Sequence, residues 1–365
     1  MLEDGRISNR QAVFLIVSTI LPTSIIYIPA IIYQEAAQDS WMSVLLVTAY
    51  GVIVGAIIAG LGLRFPDRTI VQYGELAVGR LLGKVVGLLY AVYFLYINTY
   101  IVREFAEFTT TAFLPETPLV VFSVGIVLAA AYAVRCGLEV LARANEIILP
   151  VVLVLILLLV ALISPEMHIR NFTPVLEQGI LPVLQGSYRP VAFLFTETIV
   201  MVMLIPYLSR SRQARGTIIR GILIVGLFQL IIVVAAIAVL GVRTARLEFP
   251  FLTIARQISI AEVIERVEPF VMLIWVVGGF MEVGVFYYCC VLAAAQWLNL
   301  KEYKALVLPT GVLLTVLSIV LWENVLELTR QISEILLPIA MAMHVGLPLL
   351  LLTAACLRGK GGGAR

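Results

Sequence analysis

Residues 190–201 read PVAFLFTETIVM, an apolar stretch that holds one carboxylate, Glu197. Glu197 follows Arg189 by 8 residues and precedes Arg210 by 13, which places it near mid-bilayer if the stretch is a membrane helix. A charge at that depth costs roughly 2.5–3.5 kcal/mol or more unless it faces a cavity or a partner. The stretch therefore predicts a membrane span that carries a candidate functional residue.

The composition extends this interpretation to the whole chain. Of 365 residues, 61% are hydrophobic and 13% are charged, and the mean hydropathy is +1.05. Globular domains carry roughly 25% charged residues, so this chain cannot cover a water-facing surface. A net charge of +2 gives no reason to expect nucleic-acid binding. We therefore predict an all-α polytopic membrane protein whose surroundings are the lipid bilayer.

Apolar runs long enough to cross the membrane occur ten times. A bilayer core about 30 Å thick needs about 20 residues of helix. The runs cover roughly residues 11–34, 41–63, 85–113, 119–134, 144–163, 190–208, 217–241, 269–298, 305–322 and 333–357. An even number of spans places both termini on one side, where 17 of the 25 Lys and Arg residues would lie. The positive-inside rule then predicts cytoplasmic termini.

The gaps between these spans indicate a repeat, because their lengths run short, long, short, medium in each half of the chain. Five spans repeated twice have opposite orientations, and such 5+5 inverted repeats (the LeuT/APC-like layout) are typical of secondary transporters. We predict one transmembrane domain over residues 1–365, with five-helix repeats over 11–163 and 190–357 and a disordered tail over 358–365. In this layout the ligand site lies near the midplane, where helices 1 and 6 are interrupted.

The first span contains signals for such an interruption. It carries Pro22 followed by Thr23 and Ser24, with a second proline at Pro29. Proline removes a backbone donor and clashes with the carbonyl four residues earlier, so the helix is expected to kink or unwind. Freed amides beside these hydroxyls and that of Thr19 would donate to a carboxylate. The alternative is a proline kink that is healed by hydrogen bonds from Ser and Thr to the backbone.

Two carboxylates are candidates for the chemistry of the site. Glu197 either pairs with a ligand ammonium or carries a coupling proton, and the alternative is a structural pairing with backbone donors. Glu282, in the middle of the eighth span, has the same alternatives. No Ser or Thr occurs between Phe270 and Leu298, whereas sodium-coupled proteins of this layout usually take hydroxyl ligands from the eighth helix. Proton coupling, or no coupling, is therefore favoured.

The third span has a polar face. Its members, which fall within about 140° of a helical wheel, are Tyr90, Tyr93, Tyr96, Tyr100, Arg103, Glu104 and Glu107. Arg103 lies 19 residues from Lys84, about 28 Å along a helix, so we expect the charged end at the outer boundary as a vestibule or a partner contact. The tyrosines at mid-depth either line the cavity or pack between helices.

Several sequence blocks succeed one another along nearly the whole chain. They are Asp39-Ser40-Trp41; Arg64-Phe65-Pro66; Tyr73-Gly74-Glu75 with Gly79, Gly83 and Gly87; Gly137-Leu138-Glu139 with Ala142-Arg143, Glu146 and Pro150; Thr173-Pro174-Val175-Leu176-Glu177 with Gly179 and Pro182; and Thr196-Glu197 through Pro206-Tyr207-Leu208. Their order and spacing resemble the spore-germination permease family, the B subunits of nutrient-germinant receptors in the amino acid–polyamine–organocation superfamily. One departure is Pro22-Thr23-Ser24, where the family tends to have a glycine, and this leaves the ligand size open.

The resemblance implies a receptor subunit in the inner membrane of a bacterial endospore, acting with a larger A subunit and a lipoprotein C subunit. A small nutrient, typically an amino acid, would bind where the first and sixth helices are interrupted, and binding would start ion release and germination. We expect no cofactor, no metal and no enzymatic activity, because the sequence has no histidine–carboxylate cluster, nucleophile motif or phosphate loop.

These patterns give one set of candidate residues and two competing functions. The candidate ligand-binding residues are Thr19, Leu21, Pro22, Thr23, Ser24, Tyr93, Tyr96, Phe195, Thr196, Glu197 and Thr198, and the candidate proton-coupling residues are Glu197 and Glu282. The first function is a germinant-sensing subunit that binds an amino acid without obligatory transport. The alternative is a proton-coupled amino-acid or amine permease with the same fold and pocket.

Overall fold

The computed structural model describes residues 5–191, 194–258, 267–324, 327–328 and 331–361, and for Thr196, Ile332 and Ser333 it describes the backbone alone. The α-helices are α1 Asn9–Ala36, α2 Ser40–Arg64, α3 Ile70–Val78, α4 Arg80–Ala112, α5 Leu119–Cys136, α6 Leu138–Ile163, α7 Leu181–Val191, α8 Met201–Leu204, α9 Ala214–Leu240, α10 Pro250–Gln257, α11 Glu268–Trp297, α12 Val307–Val320, α13 Leu337–Met341 and α14 Leu347–Leu357. Two π-helical segments, Ile332–Leu336 and Ala342–Gly346, join α13 and α14 into the last span. Within the described residues, β structure is confined to a bridge between Ile7 and Leu208.

The apolar helices reproduce the ten predicted spans. Seven segments of the described chain are long and apolar enough to cross a membrane, and the first of them, Asn9–Arg64, contains both α1 and α2. Two shorter apolar segments, Glu197–Tyr207 and Lys304–Val320, lie where the sixth and ninth spans were predicted. With α1 and α2 counted separately, these segments account for every predicted span.

Local sequence signals set several helix boundaries. Ser8 caps α1, because its hydroxyl accepts from the amide of Gln11 while the Gln11 side chain accepts from the amide of Ser8. Gly79 separates α3 from α4 and Gly137 separates α5 from α6, with φ angles of +95° and +100°. Glycine reaches such angles without a Cβ clash, so both positions allow consecutive helices to turn sharply.

Helix α1 is continuous from Asn9 to Ala36 and passes through Pro22 and Pro29, which differs from the predicted interruption. Thr19 and Ser24 lie on either side of Pro22 in the sequence. Their hydroxyls donate to the carbonyls of Leu15 (2.6 Å) and Leu21 (2.8 Å), respectively. Neighbouring helices α6, α7, α9 and α11 also pack around α1. Packing and these hydroxyls therefore keep the helix together where proline alone would break it, as the alternative interpretation of the sequence described.

The sixth span is interrupted as predicted. Helix α7 ends at Val191, a 3₁₀ turn covers Thr196–Val200, and the short α8 is followed by a second 3₁₀ turn at Ile205–Tyr207. The first part of the span begins at Leu181, earlier than the predicted start at residue 190. Helix α7 carries Gln185, Ser187 and Arg189 among its apolar residues, so a search for apolar runs does not detect it. Ala192 and Phe193, which follow α7 in the sequence, lie outside the described residues.

Helices α4 and α11 form a long antiparallel pair. At one end the Lys84 ammonium donates to the Trp297 carbonyl (2.7 Å) and the Trp297 indole donates to the Lys84 carbonyl (2.9 Å). Towards the other end the Trp275 indole donates to the Phe105 carbonyl at 3.3 Å. Helix α11 also packs against α1, so it links α1 to α4 in the middle of the bundle.

Two short helices, α3 and α10, were not predicted, because a search for long apolar runs detects membrane spans and not short amphipathic turns. The predicted disordered tail begins at residue 358. Its described part packs against α2, since the Arg64 guanidinium donates to the carbonyl of Lys360 at 2.6 Å. Residues 362–365 lie outside the described residues.

Candidate functional site

The centre of the candidate site is a hydrogen bond between α1 and α11. The Thr23 hydroxyl donates to Oε2 of Glu282 at 2.5 Å, and both side chains are buried. Gly278, one turn before Glu282, lies against Pro22, and a Cβ at that glycine would come within 2.4 Å of the Pro22 Cγ. The missing side chain therefore allows α11 to approach α1 closely enough for Thr23 to reach Glu282.

The carboxyl groups of Glu282 and Glu197 are incompletely bonded. Oε1 of Glu282 and Oε2 of Glu197 are buried and have no hydrogen-bond partner among the described residues. Glu282 is fully buried and Glu197 is 7% exposed, and the Glu197 carboxyl group interacts electrostatically with those of Glu282 and Glu104. A buried carboxylate without a partner is costly, so this arrangement favours a bound cation or a bound proton.

The 3₁₀ turn that carries Glu197 packs against α1, α2 and α11. The Phe195 ring packs on Gly51 of α2, where a Cβ would come within 2.5 Å of its Cγ. The Thr198 hydroxyl donates to the Phe195 carbonyl at 2.7 Å, which tightens the turn that carries Glu197. Phe195 and Thr198 therefore position the turn, and the side chain of Thr196 lies outside the described residues.

A buried histidine lies beside the site and was missed by the sequence analysis. The Tyr93 hydroxyl and Nε2 of His344 are 2.6 Å apart, and Nδ1 of His344 is buried without a partner among the described residues. Tyr93 also interacts electrostatically with Glu197. The Tyr90 hydroxyl donates to the carbonyl of Met343 at 2.7 Å, so the polar face of α4 fixes the π-helical segment of the last span. The one signal in the sequence is a lone polar residue within an apolar run.

The other predicted residues have structural surroundings. The hydroxyls of Thr19 and Ser24 are engaged with α1 carbonyls, and Leu21 is fully buried in the core. Pro22 lies against Gly278, and Tyr96 is half-buried with its ring 6.2 Å from that of Trp322. The structure thus joins Thr23 to Glu282 by a hydrogen bond and leaves Tyr96 against Trp322, after the end of α12. Glu197 interacts electrostatically with Glu282 and Tyr93.

The charged end of α4 divides into two parts. Arg103 donates to the carbonyls of Ser318 (3.1 Å) and Ile319 (3.3 Å) and pairs with Glu107 at 2.6 Å, so it ties α4 to the end of α12. Glu104 lines a cavity of about 160 Å³ between α1, α4, the end of α7 and residues 247–249. A cavity therefore lies at this end of the third span, where a vestibule or a partner contact at the outer boundary was predicted, and its position on the outer side stays a prediction. It lies at the C-terminal end of α1, away from the chain termini.

The chain matches a family model described as "Spore germination protein" over residues 6–324. It belongs to the spore germination protein family. Spore germination protein KB of Bacillus subtilis (strain 168) is 30% identical over 364 residues, covering 98% of this chain and 97% of that protein. Spore germination protein YndE of the same organism is 28% identical over 307 residues, covering 83% and 84%. The predicted family is confirmed, and it is not an enzyme family.

Solved structures confirm the predicted fold class. MhsT in complex with L-phenylalanine superposes with a TM-score of 0.67 at 14% identity, covering 97% of this chain and 99% of that one. A sodium-coupled sialic acid symporter in a substrate-bound outward-open state gives 0.66 at 13% identity, covering 93% and 79%. This spore germination family member therefore has the LeuT fold of secondary transporters. No group of three or more metal-ligating side chains occurs among the described residues.

Proposed function

We propose that this chain is the membrane-embedded subunit of a spore nutrient-germinant receptor. It binds a small nutrient, an amino acid in the first instance, between α1, the interrupted sixth span and α11, and ligand binding triggers germination. It acts with an A subunit and a lipoprotein C subunit in the spore inner membrane, with its termini on the spore-core side. Membership of the spore germination protein family and the excess of basic residues beside the termini support this role.

The observation that carries the ligand site is the pair of unpartnered carboxyl oxygens, Oε1 of Glu282 and Oε2 of Glu197, on two elements that meet at α1; neither has a partner among the described residues. An ammonium group supplies up to three donors and one positive charge, and donors and positive charge are what these two oxygens lack. Thr23 already donates to the other oxygen of Glu282 and so orients that carboxylate. The two carboxyl groups lack hydrogen-bond donors and a positive charge, and an amine supplies both. This favours an amine-bearing nutrient over a sugar or an anion.

The alternative function is a proton-coupled amino-acid or amine permease. The same two carboxyl groups support it, because each is a proton carrier when it is buried away from fixed cations. The two functions differ in whether the bound ligand then crosses the membrane. Accumulation of labelled ligand in proteoliposomes under a proton gradient supports the permease, and saturable binding without accumulation supports the receptor.

The binding proposal is tested by thermal unfolding of the detergent-purified chain against a panel of amino acids and small nutrients. A ligand at 100 times its dissociation constant adds about 2.7 kcal/mol to the stability of the folded state. We expect one class of amine-bearing compounds to stabilise the chain, and we expect Glu197→Gln to reduce this effect while Glu302→Gln, at an exposed site, does not. Stabilisation that is equal in the Glu197→Gln variant would remove Glu197 from the site.

The receptor proposal needs a second measurement, in spores. Spores that carry Glu197→Gln in this chain should germinate more weakly with the stabilising compound than spores with the unchanged chain. Their response to compounds that act on other receptors should be the same. Normal germination by spores whose purified variant no longer binds the compound would contradict a sensing role.

A further inference from the structure

We propose that the cavity at the C-terminal end of α1 is a second binding site, which takes a small organic ammonium ion with Glu104 as its counter-ion. This cavity, the vestibule, is bounded by Tyr27 of α1, Tyr100, Glu104 and Phe108 of α4, and Glu248 and Phe249 of the segment before α10. It lies outside the Thr23–Glu282 contact. The vestibule is lined by other residues than those of the nutrient site, but its Glu104 interacts electrostatically with Glu197 and Glu282, so the test compares variants at Glu104 and Glu197.

The first support is the state of the Glu104 carboxyl group. Glu104 is 2% exposed, lines the vestibule, and has Oε2 buried without a hydrogen-bond partner among the described residues. Among the described residues Glu104 has no ion pair, because the neighbouring Arg103 donates to the Ser318 carbonyl at the end of α12 and pairs with Glu107. A buried carboxyl group in this position lacks a donor, and the open space in front of it is the vestibule.

The second support is the charge around the vestibule. Glu104, Glu107 and Glu248 all line the vestibule, and all three interact electrostatically with the Tyr27 hydroxyl. Glu107 pairs with Arg103 at 2.6 Å, and Arg189, which also lines the vestibule, pairs with Glu35 at 3.5 Å. Glu104 and Glu248 have no such cation among the described residues. The vestibule is therefore short of positive charge, which favours a cationic occupant.

The third support is the aromatic wall. The Phe249 ring meets Phe108 edge-to-face at 4.7 Å and Tyr27 at 5.7 Å between centroids. Aromatic faces attract ammonium ions, and the attraction is largest where the ion is desolvated. A volume of about 160 Å³ exceeds the space that one water needs and suits a small organic molecule. Carboxylate, aromatic wall and size together select a small amine.

The test compares ethanolammonium with ethylene glycol, its neutral isostere, and with the glycolate anion, by titration of the purified full chain. We expect ethanolammonium to bind at least about tenfold more tightly than either of the others. Glu104→Gln should weaken its binding by about tenfold or more, and Glu302→Gln should leave it unchanged. Selectivity in the unmodified chain does not depend on the folding of any variant.

Two results would overturn the proposal. One is equal affinity of the unmodified chain for ethanolammonium and ethylene glycol. The other is a loss of ethanolammonium binding in Glu197→Gln together with unchanged binding in a folded Glu104→Gln variant, which would place the amine at the nutrient site. A wrong assignment of the nutrient site would give a different result. Amino-acid binding would then be unchanged in Glu197→Gln, while ethanolammonium would still bind in the vestibule.

Discussion

At the scale of single residues, the decisive property is burial without a partner. Glu104, Glu197 and Glu282 each bury a carboxyl oxygen that has no hydrogen-bond partner among the described residues. Thr23 satisfies the other oxygen of Glu282. Burying an oxygen without a donor costs free energy in the ligand-free protein. A ligand or a proton that supplies the donor removes this cost, and its binding is strengthened by the same amount.

Thr23 is predicted to stabilise the folded chain through Glu282. Thr23→Val keeps the shape of the side chain and removes the donor, so we expect unfolding to become easier by about 1–3 kcal/mol. Thr23→Ser keeps the hydroxyl and is the matched control. Thermal unfolding of both variants in the same detergent measures the difference, and a Val variant as stable as the Ser variant would show that the hydrogen bond is not important.

Glu248 is predicted to make stability depend on pH. Partial burial, and then the nearby Glu107, raise the pKa of Glu248 above its ordinary value. The folded state therefore holds this proton more tightly than the unfolded state, and its stability falls as the pH rises from the ordinary glutamate value through the raised one. Solvent screening keeps the effect below about 1 kcal/mol.

Glu248→Gln removes that ionisation. The variant should unfold at a slightly higher temperature than the unmodified chain at neutral pH, and the two should agree at a pH below the ordinary glutamate pKa. Unfolding curves in buffers across this range measure the difference. A difference that is constant over the whole range would contradict the assignment.

At the scale of elements, the contact between α1 and α11 builds the site. Pro22 and Gly278 interlock, and Thr23 and Glu282 then meet. Pro22 identified this part of α1 from the sequence. A proline alone, however, does not show whether the helix is interrupted or only kinked. The outcome depends on neighbouring helices and on hydroxyl contacts that cannot be inferred from α1 alone.

Gly278→Ala is predicted to separate these helices. Its Cβ would come within 2.4 Å of the Pro22 Cγ, so we expect a loss of about 1–3 kcal/mol in stability and weaker ligand binding. Gly125→Ala is the control, because a Cβ there meets nothing within 4 Å and alanine is the better helix former. Thermal unfolding of both variants tests the contact, and equal stability of the two would contradict it.

The spans were more predictable from the sequence than the contacts between them. Span positions depend on the length of apolar runs, so they were predictable to within a few residues at most ends. Glu197 and Glu282 were predictable because a carboxylate inside an apolar run is conspicuous. The pairing of His344 with Tyr93, and the placement of Phe195 against Gly51, depend on contacts between distant parts of the chain. Such contacts have no signature in local periodicity.

At the scale of the whole molecule, the LeuT fold places an interrupted sixth span beside α1, and the paired carboxyl groups lie there. The division into repeats over 11–163 and 190–357 stays a prediction. The fold is shared by a sodium-coupled sialic acid symporter, but a likeness at 13% identity does not carry a coupling ion with it. Coupling depends on the residues of this chain.

Ligand binding is predicted to be independent of sodium. Sodium-coupled proteins of this layout usually take hydroxyl ligands from the eighth helix, and α11 has no Ser or Thr between Phe270 and Leu298. A carboxylate such as Glu282 would then bind sodium without those hydroxyl ligands, so replacing NaCl by KCl at constant ionic strength should change the ligand dissociation constant by less than about twofold. The measurement is a titration of the purified chain in the two salts. Binding that requires sodium would contradict the prediction.

The central claim is that the carboxyl pair holds the ammonium group of the nutrient. A double-mutant cycle tests it directly, by measuring the binding of a stabilising amino acid and of its analogue without the amine to the unmodified chain and to Glu197→Gln. We predict a coupling energy of about 1.5–3 kcal/mol, because removing the ammonium should cost little once the carboxylate is gone. Additive losses, within about 0.5 kcal/mol, would show that the ammonium group and Glu197 do not meet.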